Sequence, residues 1–173
     1  MHSISTVRSG CQNFSLSSHL LSCGTFQRDP PSTPCIGFTD GASHYSQNLA
    51  STGWAIFTPL QVLVLSNGVC IGTATNNEAK YDAIRGLLAD SLSHHILQLH
   101  VYFDSLILFM QLNGVYCFHN PILFRRYLRV KLLKSEFEII TFIHIPREQN
   151  HYVDSIVNHI LDWHLTHTFN TRQ

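Results

Sequence analysis

Charge is scarce and balanced in this 173-residue chain: Lys and Arg number 11, Asp and Glu number 11, and charged residues make up 13%. A net charge of zero excludes a global pull toward nucleic acid, so any such attraction has to be local. The five cysteines (Cys11, Cys23, Cys35, Cys70, Cys117) are odd in number and form no CxxC pair. That argues against a disulfide framework or a zinc site and for a reducing intracellular compartment, cytoplasmic or nuclear. Long apolar runs are also missing. A membrane helix needs about 18 apolar residues, and the nearest approach, Ile96 to Leu112, is broken by His100, Asp104 and Gln111. No membrane partner is expected. Histidines are plentiful, but His164 and His167 lack the Cys or acidic partner that would complete a ligand set.

Acid is absent from the first 28 residues, which are rich in serine and run into Pro30-Pro31-Ser32-Thr33-Pro34, a stiff linker signal. Residues 1–34 therefore read as a disordered leader and linker. An organelle transit peptide and the frayed remainder of a longer polyprotein both fit this composition. One domain is expected over residues 35–166, acting as a monomer, with a tail over 167–173. An apolar content of 45% at this length supports a sizeable core.

From Cys35 the pattern becomes regular. Ile36 and Phe38 alternate into a strand ending at Asp40-Gly41. Gly53–Phe57 and Gln61–Leu65 read as two more strands, with Ser66-Asn67-Gly68 as a turn. Asn76 or Asn77 can cap a helix carrying Tyr81, Ile84, Leu87 and Leu88 at helical spacing. Leu97–Phe103 is a fourth strand, Pro121 to about Lys134 a helix, and Glu138–Ile143 a fifth strand. A last helix starts near Asn150 with Val153, Ile156, Val157, Ile160 and Leu161 as its apolar stripe. Three strands on short turns suggest an antiparallel meander, and strand-helix-strand units favour parallel crossovers. The expected fold class is α/β: a mixed five-stranded sheet flanked by helices.

Asp40 and Asp104 each fall at the carboxyl end of a predicted strand, and Asp154 falls in the first turn of the last helix. Strand ends and helix starts meet at one edge of such a sheet. Converging carboxylates there repel one another unless a cation lies between them. Simpler roles exist for each: a turn for Asp40-Gly41, a helix cap for Asp104-Ser105, a helix-dipole partner for Asp154. The basic residues cluster as well. Arg125, Arg126, Arg129, Lys131 and Lys134 lie on one predicted helix, where Leu123, Phe124, Leu128, Leu132 and Leu133 supply its buried side. The cluster suits phosphate contacts without sequence readout, or an ordinary solvated face.

Taken together, these motifs resemble the ribonuclease H type-1-like domains of plant retroelement polyproteins. The residues carrying the resemblance are Asp40-Gly41-Ala42-Ser43, Ala74-Thr75-Asn76-Asn77-Glu78-Ala79, Asp104-Ser105, Gln111-Leu112-Asn113-Gly114-Val115-Tyr116, His144-Ile145-Pro146-Arg147-Glu148-Gln149-Asn150 and Asp154. It implies a ribonuclease H-like fold and an endoribonuclease cutting the RNA of an RNA–DNA hybrid with two Mg²⁺ or Mn²⁺ ions. Asp40, Asp104 and Asp154 match three of the metal-binding acids. His144 matches a loop histidine that assists proton transfer and product release, unless it is a buried strand-end residue. Asn76 and Asn77 match positions contacting the RNA strand, and Arg125, Arg126 and Arg129 lie where the DNA strand's phosphates are met.

One position departs from the pattern. The family's fourth metal-binding acid, a Glu, comes three residues after the second Asn, where this chain has Lys80. Glu78 and Asp82 are each about 200° away around the helix and cannot replace it. An ammonium ~4 Å from a divalent ion is repelled by roughly 8 kcal/mol at an effective dielectric of about 20, and by ~2 kcal/mol in bulk water. Cleavage is therefore expected to be impaired. The alternative keeps the fold but not the reaction: the Lys80 charge meets a phosphate instead, leaving a hybrid-binding module without catalysis or a retroelement relic.

Overall fold

The computed structural model describes residues 33–170 together with a two-residue strand, Phe14–Ser15. The expected leader over 1–34 otherwise lies outside the described residues. The elements run β1 (Phe14–Ser15), β2 (Cys35–His44), β3 (Leu49–Phe57), β4 (Leu63–Gly72), α1 (Asn76–Ser93), β5 (Gln98–Phe103), α2 (Leu106–Leu112), α3 (Pro121–Lys134), β6 (Ile139–His144) and α4 (His151–Asn170). The five predicted strands form the mixed sheet: β2, β3 and β4 antiparallel, β5 and β6 parallel to β2. The short β1 pairs antiparallel with β4 at the outer edge, giving six strands in the order β1-β4-β3-β2-β5-β6.

Side chains alternate across a sheet, so each strand serves two helical layers. On one face Trp54 meets Gly86 of α1, and Gly37 and Gly41 lie under α1. On the other face Gly53 and Gly68, paired across β3 and β4, lie under Ile156, Val157 and Ile160 of α4. The main core unites Ile56, Ile84, Leu87, Val101, Phe103 and Val130 between the sheet, α1 and α3. The predicted stripe of α4 is buried at Val153, Val157, Ile160 and Leu161, with Ile156 half-buried. Among the described residues no helix is long and apolar enough to cross a membrane.

Three local expectations are corrected. Ser66-Asn67-Gly68 is no turn but the middle of β4, and the hairpin instead closes over Thr58–Val62, where Thr58 N donates to Val62 O at 2.8 Å. Gly68 is small because a Cβ there would lie 2.3 Å from Ile160 and 2.9 Å from the Thr52 carbonyl. The helix cap of α1 is Thr75 rather than Asn76 or Asn77, with Glu78 closing a reciprocal capping box. The buried side of α3 is built on Val130 with Leu123, Tyr127 and Leu133 packed against the core, while Phe124, Leu128 and Leu132 are exposed. An apolar helix with two candidate stripes does not reveal which one its neighbour covers. Helix α4 continues to Asn170, inside the stretch expected as a tail.

Candidate active site

Strand β2 does not end at Asp40-Gly41 but runs on to His44, so Asp40 sits mid-strand opposite Gly53 of β3. The parallel register of β2 and β5 pairs Phe38 with Tyr102. Two residues on, the same register brings Asp40 beside Asp104. The helix-cap role open to Asp104-Ser105 belongs to Ser105, whose hydroxyl accepts from Leu108 N of α2. Asp104 is thereby left to the sheet edge. Gly41 is what lets α1 reach this point: a Cβ on it would lie 2.4–2.7 Å from the Ala79 and Lys80 backbone. A mid-strand glycine at a close helix approach replaces the turn that Asp-Gly suggested.

That approach delivers Lys80 between the two acids. Its Nζ donates to Asp40 Oδ1 and to Asp104 Oδ1, each at 2.5 Å. Both acid side chains are nearly buried, 4% and 8% exposed, and Lys80 is 20% exposed. Burial would lower the Lys80 pKa, but Asp40 and Asp104 outweigh it and hold the ammonium above its ordinary value. Burial, helped by the Asp104 charge, holds the Asp40 carboxyl above its ordinary value; the Lys80 charge and a hydrogen bond from Gly41 N offset only part of that. Lys80 thus points at the two acids, a pairing that the expected phosphate contact did not include. Sequence sets a lysine only against the metal it would repel; that it pairs with the metal's ligands shows only in three dimensions.

Asp154 stands on the first turn of α4, 29% exposed. Arg147 Nη2 donates to its Oδ1 at 3.3 Å and Asn158 Nδ2 to its Oδ2 at 3.0 Å. Helix α4 is seated on the sheet by Asn150, whose buried Nδ2 donates to the Thr39 carbonyl at 3.0 Å. Asn150 and Arg147 were legible only as motif members, without a role. The divalent ions implied by the resemblance do not fit these residues as they stand, because the Lys80 ammonium fills the position between Asp40 and Asp104. Among the described residues no three His, Cys, Asp or Glu side chains are gathered so as to hold a metal ion.

The remaining predicted residues fall around this centre unevenly. His144 ends β6 in register with Phe103 and is exposed, not buried, its ring 6.2 Å from Phe109. Asn76 accepts from both the backbone N–H and the hydroxyl of Ser43, at 2.7 and 3.0 Å, tying the start of α1 to the end of β2. Asn77 is half-buried beside it. On α3, Arg125 and Arg129 are exposed. Arg126 is not a free surface cation: it pairs with Asp82, and its Nη2 lies 3.9 Å from Glu78 Oε2. The two acids flanking Lys80 in sequence are thus held by α3, away from the centre. A cavity of about 360 Å³ between β4 and α4 is lined by Asn67, Gly68, Ile156 and Trp163, and holds none of the predicted acids.

Comparison with known proteins adds to this geometry. The model of the family described as reverse transcriptase-like matches residues 38–160. Ribonuclease HI of Halobacterium salinarum is 31% identical over 125 residues, covering 72% of this chain and 63% of that protein. The bifunctional protein Rv2228c of Mycobacterium tuberculosis is 30% identical over 124 residues, covering 71% of this chain and 34% of its own length. The chain therefore spans less than two thirds of these relatives. Among solved structures, LC11-RNase H1 in complex with an RNA/DNA hybrid superposes with a TM-score of 0.71 at 29% identity, over 76% of this chain and 99% of that one.

Proposed function

Since the chain belongs to the reverse transcriptase-like family and has the ribonuclease H-like fold, we propose that it binds RNA–DNA hybrids and that Lys80 blocks two-ion cleavage. The observation carrying this reading is the Lys80 ammonium held 2.5 Å from both Asp40 and Asp104. A lysine there balances carboxylate charge but brings no bound water to activate and no Lewis acid for the leaving oxygen. Hybrid binding draws on different residues. Asn76 and Asn77 offer amides at the end of β2, suited to the 2′-hydroxyls that distinguish RNA from DNA. Arg125 and Arg129 offer exposed charge for backbone phosphates. The solved relative bound to a hybrid supports this choice of partner.

The test is cleavage of a labelled RNA–DNA hybrid by the full chain in Mg²⁺ or Mn²⁺. The unmodified chain is expected to leave the hybrid intact. Lys80→Glu is expected to cut it at a rate at least about a hundredfold higher, the scale of regaining one transition-state-stabilising group. Adding Asp104→Asn to Lys80→Glu should abolish that gain. Cleavage by the unmodified chain, lost in Asp104→Asn, would overturn the reading and show that three acids suffice.

A further inference from the structure

Each carboxylate of the centre already faces a cation from its own chain. Asp40 and Asp104 share the Lys80 ammonium at 2.5 Å, and Asp154 has Arg147 at 3.3 Å. The two cations differ in weight. Lys80 and its acids are largely shielded from water, whereas Arg147 is 76% exposed, so its pairing with Asp154 is screened and weak. A carboxylate at position 80 would instead set three acids, at 40, 80 and 104, against one another until ions from solution came between them.

We infer that Lys80 is a built-in replacement for the divalent cation, which makes both the fold and hybrid docking of this chain independent of divalent ions. The docking half rests on the hybrid-binding reading above. An ammonium has three N–H donors; two go to Asp40 and Asp104, and the side chain keeps 20% exposure. A phosphate oxygen arriving over the site can take the third. Because the cation is covalently tethered, it is present at any metal concentration. Because it is a single charge between two carboxylates, it quiets repulsion without building a strong anion site.

Two measurements on the full chain test this, at one ionic strength throughout, since phosphate contacts respond to salt. The first is the melting temperature in EDTA and in Mg²⁺. No shift is expected for the unmodified chain or for Lys80→Arg, which keeps the cation, and an upward shift with Mg²⁺ is expected for Lys80→Glu. The second is anisotropy of a labelled RNA–DNA hybrid. The unmodified chain should bind equally in EDTA and Mg²⁺, while Lys80→Glu in EDTA should bind about tenfold more weakly, as two units of charge reversed near a phosphate dictate. A rise in melting temperature or a gain in affinity with Mg²⁺ for the unmodified chain overturns the inference and leaves the hybrid-binding reading standing. Absence of binding in both buffers overturns the hybrid reading and the docking half with it, and the melting arm then decides whether Lys80 replaces the cation. Should Lys80→Glu fail to fold, the unmodified chain and Lys80→Arg still give the deciding comparison.

Discussion

Lys80 differs from a metal ion in charge, in tether and in chemistry, and each difference has a consequence for one residue position. The single charge is enough to hold Asp40 and Asp104 together. Replacing it with an uncharged chain of similar length, Lys80→Met, leaves two nearly buried acids facing one another and is expected to cost about 3–5 kcal/mol in a urea titration. The pH dependence of that loss has a defined sign. The folded state holds the Lys80 proton more tightly than the unfolded chain, whose value is near 10.5. The contribution is therefore fully present below that value and fades as pH climbs through the raised folded one. The gap in urea midpoint between the unmodified chain and Lys80→Met should stay constant well below ~10.5 and close only as pH climbs above it.

Among the elements, a close junction is where α1 crosses β2. Its helix is aligned by the Thr75–Glu78 capping box and by Asn76 gripping Ser43, and Gly41 lets the backbones meet. Gly41→Ala places a methyl within 2.4 Å of the Ala79 carbonyl carbon, backbone that cannot swing aside. The substitution is expected to destabilise by about 1–3 kcal/mol or more in chemical denaturation, and to withdraw Lys80 from its acids. The five main strands, the three longer helices and their order were legible because apolar spacing differs between a period of two and one of 3.6, whereas the short β1 and α2 were given no bounds. What misled were the glycines. Asp40-Gly41 and Asn67-Gly68 carry turn chemistry, yet both lie mid-strand where a helix presses on the sheet, and a close approach leaves no mark in local sequence. The faces of α3 were illegible for a related reason: several leucines compete for the inside, and the packing against α1 selects Val130.

Across the whole molecule, the basic residues of α3 divide into two kinds that sequence presents as one cluster. Arg126 turns inward to Asp82 and Glu78, whereas Arg125 and Arg129 stay exposed. Arg126→Ala should destabilise the fold by about 2–3 kcal/mol, discounted from the fully buried range for its partial exposure, and leave the salt dependence of hybrid binding unchanged. The Arg125→Ala/Arg129→Ala double variant should do the reverse. Its stability holds, and the slope of log affinity against log salt falls in magnitude by between about 1 and 2, at ~0.7–0.9 for each phosphate no longer neutralised. Denaturation and hybrid titrations at several salt concentrations separate the two.

The linear order of residues was enough for the main element types, the mixed sheet and the family, because periodicity and motif spacing are local properties of the chain. Asp40, Asp104, Asp154 and the departure at Lys80 could all be named without coordinates. Tertiary structure alone decided which groups the departing side chain meets. Positions 40, 80 and 104 become neighbours only when β2 and β5 pair in register and Gly41 admits α1. Whether a lysine among acids repels a metal, reaches for a phosphate or neutralises its neighbours depends on which partner its ammonium meets first. At 2.5 Å from two nearly buried carboxylates, those carboxylates are the partners, because Coulomb attraction grows as distance and local dielectric fall.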